Sequence, residues 1–220
     1  MNSQIWNEIF SALLDTLYMA AASTAAAYFL GIIMGVILAV TDKNGLKPNL
    51  AVNKILGFIV NVLRSVPFLI LFVAVIPFTK LITGTSIGPS ATIVPLTIAA
   101  APFAARLTET SVKEVDSGIA EAAKSCGASP IKVIYKAVLP ECLPSLIGNA
   151  AITFVTVLGY SAMAGFCGGG GLGAVAINYG YYRNNQTVMA VTVVIIVVVV
   201  QLFQELGLWF ARLRDKRRKS

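Results

Sequence analysis

The uncharged stretch CLPSLIGNAAITFVTVLGYSAMAGFCGGGGLGAVAINYGYY, residues 142–182, decides the class of fold. Its 41 residues exceed the roughly 20 apolar residues with which one helix crosses a bilayer. Further uncharged tracts occupy residues 16–41, 65–79, 81–105 and 184–204. Only 12% of the chain is charged, whereas a soluble domain carries about a quarter. The sequence therefore predicts an all-α, polytopic transmembrane protein with a single domain over residues 1–220.

Positive charge concentrates in segments 42–54, 106–141 and 212–219, which contribute three, five and six of the 17 lysines and arginines. Basic segments stay on the cytoplasmic side of a membrane, and this accounts for the net charge of +7 without a nucleic-acid partner. Even numbers of spans must then separate the three segments. The N-terminus is predicted outside, the C-terminus is predicted inside, and five helices are expected at about 16–40, 57–79, 86–106, 144–164 and 187–209.

The chain contains no histidine, so it lacks the commonest general base and the commonest metal ligand. It also has no G-x-x-x-x-G-K-[ST] sequence, so any ATPase must be a separate protein. Gly168, Gly170 and Gly173 match G-x-G-x-x-G, but they follow an apolar span instead of a strand. We interpret them as positions of bending or close packing, within a loop or re-entrant segment at 165–182. No catalytic residue, no metal site and no cofactor of its own are predicted.

Between the third and fourth spans the chain turns polar, in EVDSGIAEAAKSCG (114–127) and SPIKVIYKAVLP (129–140). The first segment predicts a short helix that Asp116 or Ser117 caps and that Gly127 ends. The second predicts another short helix, with Ser129 as its N-cap and Pro130 in its first position. The pair is either an ordinary cytoplasmic loop or a docking element.

This loop resembles the EAA loop of bacterial ABC importer permeases. The similarity rests on Glu121-Ala122-Ala123, on Gly127 after three further residues, and on Leu139-Pro140, although Ala137 stands where that family has isoleucine. Residues 64–109 and 159–173 are similar to the permeases of methionine importers in particular. The resemblance implies a cytoplasmic coupling loop at about 112–141 that contacts an ATPase through Glu121, Ala122, Ala123, Gly127, Leu139 and Pro140.

The same resemblance implies a homodimer in the bacterial inner membrane that imports methionine, as the L- or the D-enantiomer, by alternating access. It implies a pair of ATP-binding subunits that use ATP and Mg on the cytoplasmic side, and an extracytoplasmic substrate-binding protein. Three alternatives remain open at this point. They are an ABC permease for another neutral amino acid, a secondary transporter or channel, and a structural membrane protein.

Five residues of the fourth span recur at intervals of four, three, four and three, which places them on one helical face. Such polar positions either bond a neighbouring helix or line a wet path. We predict that they line the translocation path and that the last of them closes its outer end. The resemblance agrees, since a methionine after Tyr-Ser-Ala narrows the path of methionine-importer permeases near the two-fold axis. The five are Asn149, Thr153, Thr156, Tyr160 and Met163.

Two other features of the spans concern charge and proline. Arg64 lies about nine residues into its apolar run, and it either reaches toward the cytoplasm or contacts substrate. Arg106 and Glu109 are predicted to form a surface pair at a helix end. Kinks or breaks are expected at Pro67, Pro77, Pro95 and Pro102.

Overall fold

The structure, a computed structural model, describes residues 3–214, and these form helices and turns without a strand. The helices are α1 Ser3–Thr41, α2 Leu50–Ser65, α3 Phe68–Ala74, α4 Ile76–Thr83, α5 Pro89–Lys113, α6 Ser117–Ser125, α7 Pro130–Val133, α8 Leu139–Ala164, α9 Gly171–Val175 and α10 Gln186–Arg214. Two π-helical stretches, Ile134–Val138 and Ala176–Tyr182, join α7 to α8 and extend α9. The predicted all-α class is confirmed.

Four helical stretches in this part of the chain are long and apolar enough to cross a membrane. They are α1, α5, the continuous stretch Pro130–Cys167 that contains α7 and α8, and α10. The helices α2 and α3 form a fifth if they cross together, although the chain bends by 106° between them. The chain is thus a polytopic helical membrane protein.

The helix expected at 57–79 is wrong as a continuous span. The chain leaves the helical conformation at Val66 and Pro67, and again at Val75 before Pro77. A residue that precedes proline is disfavoured in the helical region, and Val66 accordingly has an extended φ of −80° and ψ of 126°. Proline 67 therefore breaks the span as predicted, whereas Pro95 and Pro102 lie inside an unbroken α5.

Other boundaries differ from the expected ones in the same direction, toward longer helices. The first helix begins at Ser3 and has 39 residues, about 58 Å at 1.5 Å per residue, so it extends well beyond a 30 Å apolar layer. The second short helix of the polar loop is not separate, because it continues into α8 through the π-helical stretch. The segment 165–182 is not among the helices long enough to span.

The centre of the bundle is formed by α1, α3, α5 and α8, which contribute the buried side chains of Met19, Phe72, Leu96 and Val157. Helices α1 and α5 approach closely because Gly31 faces Ala104: a Cβ added to Gly31 would lie 2.5 Å from the Ala104 Cβ. Small residues at such crossings allow membrane helices to pack by van der Waals contact.

Helix α10 lies at the edge of the bundle. Its valines at 193, 194, 197 and 198 are exposed, and the helix carries no charged residue between positions 186 and 204. An apolar helix with a free surface is stable only where hydrocarbon covers that surface, so this face of the protein is in contact with lipid.

Candidate functional site

The polar loop forms a small exposed platform. Helix α6 begins at the N-cap Asp116, whose carboxylate accepts a hydrogen bond from the Gly118 backbone N–H at 2.6 Å. None of its residues is buried, and Glu121 and Ala122 are exposed while Ala123 is half-buried. Behind it, Val133 and Val138 are buried on the start of the long helical stretch.

The chain turns sharply at the end of α6. Gly127 has a φ of +77°, a left-handed conformation that favours glycine, and no atom would contact a Cβ added there. Ser129 and Pro130 then start α7 as N-cap and first residue. The predicted start of α7 and the turn at Gly127 are confirmed, and Leu139 and Pro140 follow more than two helical turns after Pro130, half-buried and exposed respectively. All six predicted coupling residues thus lie on α6, on its terminal turn or on the start of α8.

An ionic network lies beside this platform. Lys113 Nζ is 2.5 Å from Asp42 Oδ2 and 2.8 Å from Glu109 Oε1, and Arg106 Nη1 is 2.6 Å from Glu109 Oε2. Arg106 also donates to the Asn61 side chain at 2.7 Å. The network therefore joins the end of α1, the middle of α2 and the end of α5.

The predicted Arg106–Glu109 pair is confirmed, but it is not a surface pair, because Glu109 is only 7% exposed. Sequence reasoning missed Lys113, whose spacing of four from Glu109 is a usable signal. It also missed Asp42, which lies 71 residues from Lys113 and which no local pattern identifies. The hydrogen bond from Lys113 lowers the pKa of the Asp42 carboxyl below its ordinary value.

A cavity of 520 Å³ separates the network from α6. Its lining includes Asp42 and Lys113 on one side and Asp116, Glu121 and Lys124 on the other. Helix α6 thus contacts the bundle mainly through the π-helical stretch Ile134–Val138. Its one side packs on that stretch, and its other side faces the cavity.

The predicted path residues do not share one environment. Asn149 donates hydrogen bonds to the Leu107 carbonyl at 3.2 Å and to Ser111 Oγ at 2.8 Å, both on α5. Thr153 is fully buried and donates to the Asn149 carbonyl. Within a single chain, Asn149 therefore connects α8 to α5, whereas the Thr153 hydrogen bond stays within α8.

The other three predicted path residues are more accessible. Thr156 is half-buried, and its hydroxyl donates to the Ile152 carbonyl at 2.9 Å. Tyr160 is half-buried and stacks on Phe68, with ring centroids 4.7 Å apart. Met163 is 47% exposed. The half of the stripe nearest the end of α8 thus faces outward from the chain.

The glycine-rich segment is bent and closely packed, as predicted. Gly168 and Gly170 have φ of +80° and +82°, and the Gly168 carbonyl accepts a hydrogen bond from the Gly88 N–H at 2.9 Å. The Thr16 hydroxyl accepts a hydrogen bond from the Leu172 N–H at 2.8 Å. These contacts fix the start of α9 against α1 and α5.

Similarity to known protein sequences and structures identifies the family. Residues 27–219 match the family described as binding-protein-dependent transport system inner membrane component. The chain belongs to this family. It is therefore a membrane subunit of a transport system and not an enzyme.

Two curated relatives and one solved structure are similar over nearly the whole chain. Identity is 54% over 209 residues with the probable D-methionine transport system permease protein MetI of Vibrio cholerae, covering 95% of this chain and 93% of the relative. It is 42% over 210 residues with the methionine import system permease protein MetP of Bacillus subtilis, covering 96% and 95%. The MetNI methionine ABC transporter in an inward-facing conformation matches with a TM-score of 0.96 at 41% identity, over 98% of this chain and 100% of that chain.

Proposed function

We propose that this chain is the permease subunit of an ATP-driven ABC importer that carries methionine into the cell. The observation that carries the proposal is the 54% identity to a D-methionine transport permease, which extends over 95% of the chain. The likeness to an inward-facing methionine ABC transporter supports the same substrate and indicates the conformational state.

In this proposal α6 transmits work from a separate ATP-binding subunit, which uses ATP and Mg. Its exposed face offers Glu121 for a charged contact, while Ala122 and Ala123 permit close approach. Gly127, Leu139 and Pro140 connect α6 to α8, so a displacement of α6 is passed directly to a helix that reaches the far side of the bundle. A pair of such ATP-binding subunits would move two copies of the chain together.

A homodimer would form the path for the solute. Five spanning helices enclose no solute-sized channel alone, whereas two-fold symmetry would place the exposed end of α8 from each copy on opposite walls. Thr156, Tyr160 and Met163 would then line the path, with Met163 at its narrow outer end. Asn149 would hold this wall against α5, and Thr153 would stay buried behind it.

The orientation follows the distribution of charge. The ionic network, α6 and the basic tail belong on the cytoplasmic side, so the N-terminus faces outward. An extracytoplasmic substrate-binding protein would deliver methionine there. ATP binding would close the ATP-binding pair, and the permease dimer would then pass from inward-open to outward-open.

The contacts of the buried acid, Glu109, argue against a secondary transporter. Such a protein needs an ionisable group in the membrane that exchanges protons or sodium. Glu109 is the buried carboxylate of the described residues, and its two oxygens accept hydrogen bonds from Arg106 and Lys113 at 2.6 and 2.8 Å. It serves the structure and is not free to act as a carrier.

The decisive experiment measures uptake of labelled methionine in bacterial cells that lack this gene and every other methionine carrier. A plasmid copy, expressed with its ATP-binding and substrate-binding partners, should restore uptake, and depletion of ATP should abolish it. A plasmid whose ATP-binding subunit cannot hydrolyse ATP is the control. Uptake of a different neutral amino acid, with none of methionine, would preserve the importer and overturn the substrate.

A further inference from the structure

The break between α2 and α3 opens a cavity of 210 Å³ in the wall of the bundle. Its lining includes Arg64, the last-turn residue of α2, with Phe68, Ala99, Phe103 and Tyr160. Its volume is below the roughly 300–1,000 Å³ of sites for drug-sized ligands, so a small solute fits it better.

This cavity lies at the middle depth of the protein. Ala99 and Phe103 flank the midpoint of α5, which is 12 residues from either helix end, or about 18 Å at 1.5 Å per residue. Lipid headgroups lie near the helix ends and not at this depth. Insertion of a charged group at this depth is unfavourable, so its presence indicates a function.

Arg64 has no counter-charge. Among residues 3–214 its guanidinium forms no ion pair and no hydrogen bond, in contrast to Arg106, which is bound to Glu109 and Asn61. A guanidinium offers five N–H donors in a planar fork and accepts none. It matches a carboxylate, which accepts two parallel hydrogen bonds from it.

The rest of the lining is aromatic and aliphatic. The rings of Phe68 and Tyr160 stack with an interplanar angle of 2°, and Phe103 lies on the same cavity. Apolar side chains, and thioether sulfur in particular, make favourable contacts with aromatic rings. The cavity thus combines a hydrogen-bond donor for an anion with a surface for an uncharged side chain.

We propose that this cavity is a transient binding site for the translocating amino acid, in which Arg64 binds the α-carboxylate and the Phe68–Tyr160 pair contacts the side chain. The inference rests on the proposed function, and it adds a site at mid-depth to the path. Arg64 is open to solvent in the single chain, so a solute in the path reaches it without a rearrangement of α2.

The test uses the complete transporter in proteoliposomes, with its ATP-binding subunits and saturating substrate-binding protein. Methionine taken up per ATP hydrolysed is compared for the wild type, Arg64→Gln, Arg64→Lys and the control Arg212→Gln, which removes an exposed arginine at the end of α10. A hydrogen bond to a charged group contributes about 1.5–3 kcal/mol, so Arg64→Gln should lower uptake per ATP about tenfold or more. Arg64→Lys keeps the charge without the fork and should be intermediate.

These variants distinguish a loss of substrate binding from a loss of structure. The proposal requires the ATPase rate of assembled Arg64→Gln transporter to stay within about twofold of the wild type while uptake falls. Unchanged uptake per ATP in that variant would overturn it, as would a parallel loss of assembly, ATPase and uptake, which would indicate a structural or lipid-anchoring role. Failure of the wild type to take up methionine would refute the proposed function instead.

Discussion

At the scale of single residues, Glu109 decides how the end of the bundle beside α6 is held together. It is buried and receives charge-assisted hydrogen bonds from Arg106 and Lys113, which come from its own helix at spacings of three and four. Through those two cations it fixes Asn61 on α2 and Asp42 after α1. One carboxylate thus connects three elements that meet beside the platform formed by the polar loop.

Replacing Glu109 with glutamine should destabilise the protein more than any exposed change in the network. Removing one partner from a buried pair costs about 3–5 kcal/mol, and the partial exposure of Arg106 and Lys113 reduces this to about 2–3 kcal/mol. Thermal unfolding of the purified complex should show a clear fall in Tm. Asp42→Asn, at a more exposed end of the network, is the matched control and should cost below about 1 kcal/mol.

The pH dependence of Tm gives an independent check on the Asp42→Asn control. Because the pKa of Asp42 is lowered in the folded protein, its contribution is fully present above the ordinary value of 3.8 and is lost only as pH falls through the lower folded value. The Tm difference between Asp42→Asn and the wild type should therefore stay constant between about pH 6 and 8. A difference that changes across this range would contradict the ion pair.

At the scale of elements, local chemistry made some features predictable. Asp116, Ser129, Pro130 and Gly127 set the ends of α6 and α7 through capping and backbone conformation, which depend only on neighbours in sequence. The long apolar helices were predictable from their length and hydropathy, because these also depend only on neighbours in sequence. A kink or break was expected at Pro67, but the 106° turn that opens a cavity was not.

Features that depend on distant partners were not predictable. The spacing of Asn149, Thr153 and Tyr160 correctly placed them along one helix, but it could not reveal that Asn149 bonds α5, that Thr153 is fully buried or that Tyr160 stacks on Phe68. The network has the same character, since Asp42 and Lys113 meet only after α1 and α5 pack through Gly31 and Ala104. Periodicity assigns a residue to a face, and only tertiary packing assigns a neighbour to that face.

Gly127 offers the sharpest test of α6 as a coupling element. Alanine at a φ of +77° costs about 1–2 kcal/mol of backbone strain, although nothing would contact its Cβ. Gly127→Ala should therefore turn α6 away from its position and lower both uptake and stimulated ATPase, two- to tenfold. Asparagine tolerates the left-handed conformation, so Gly127→Asn is the matched control and should retain most activity. Equal activity of both variants would argue against a coupling role for this turn.

At the scale of the whole molecule, exposed apolar surface falls into two classes. The valine stretch of α10 is apolar and suits lipid, whereas the accessible surface near the end of α8 mixes Thr156, Met163 and, just beyond the helix, Phe166 beside the glycine-rich segment. Gly159 on that face would admit a Cβ without contacting any atom of its own chain. We expect the α8 face to be covered by a second copy and the α10 face to remain in lipid.

Cysteine cross-linking distinguishes the two faces. The native cysteines 126, 142 and 167 are first replaced by serine or alanine, and Met163→Cys or Val197→Cys is then introduced, since both positions are about half exposed. If two copies face each other across the path, mild oxidation in membranes should convert Met163→Cys into a covalent dimer, because bridged Cα atoms must come within about 7 Å. Val197→Cys, on the lipid face, should stay monomeric under the same treatment. A dimer formed through Val197 and not through Met163 would place the two-fold axis on α10 and remove α8 from the path.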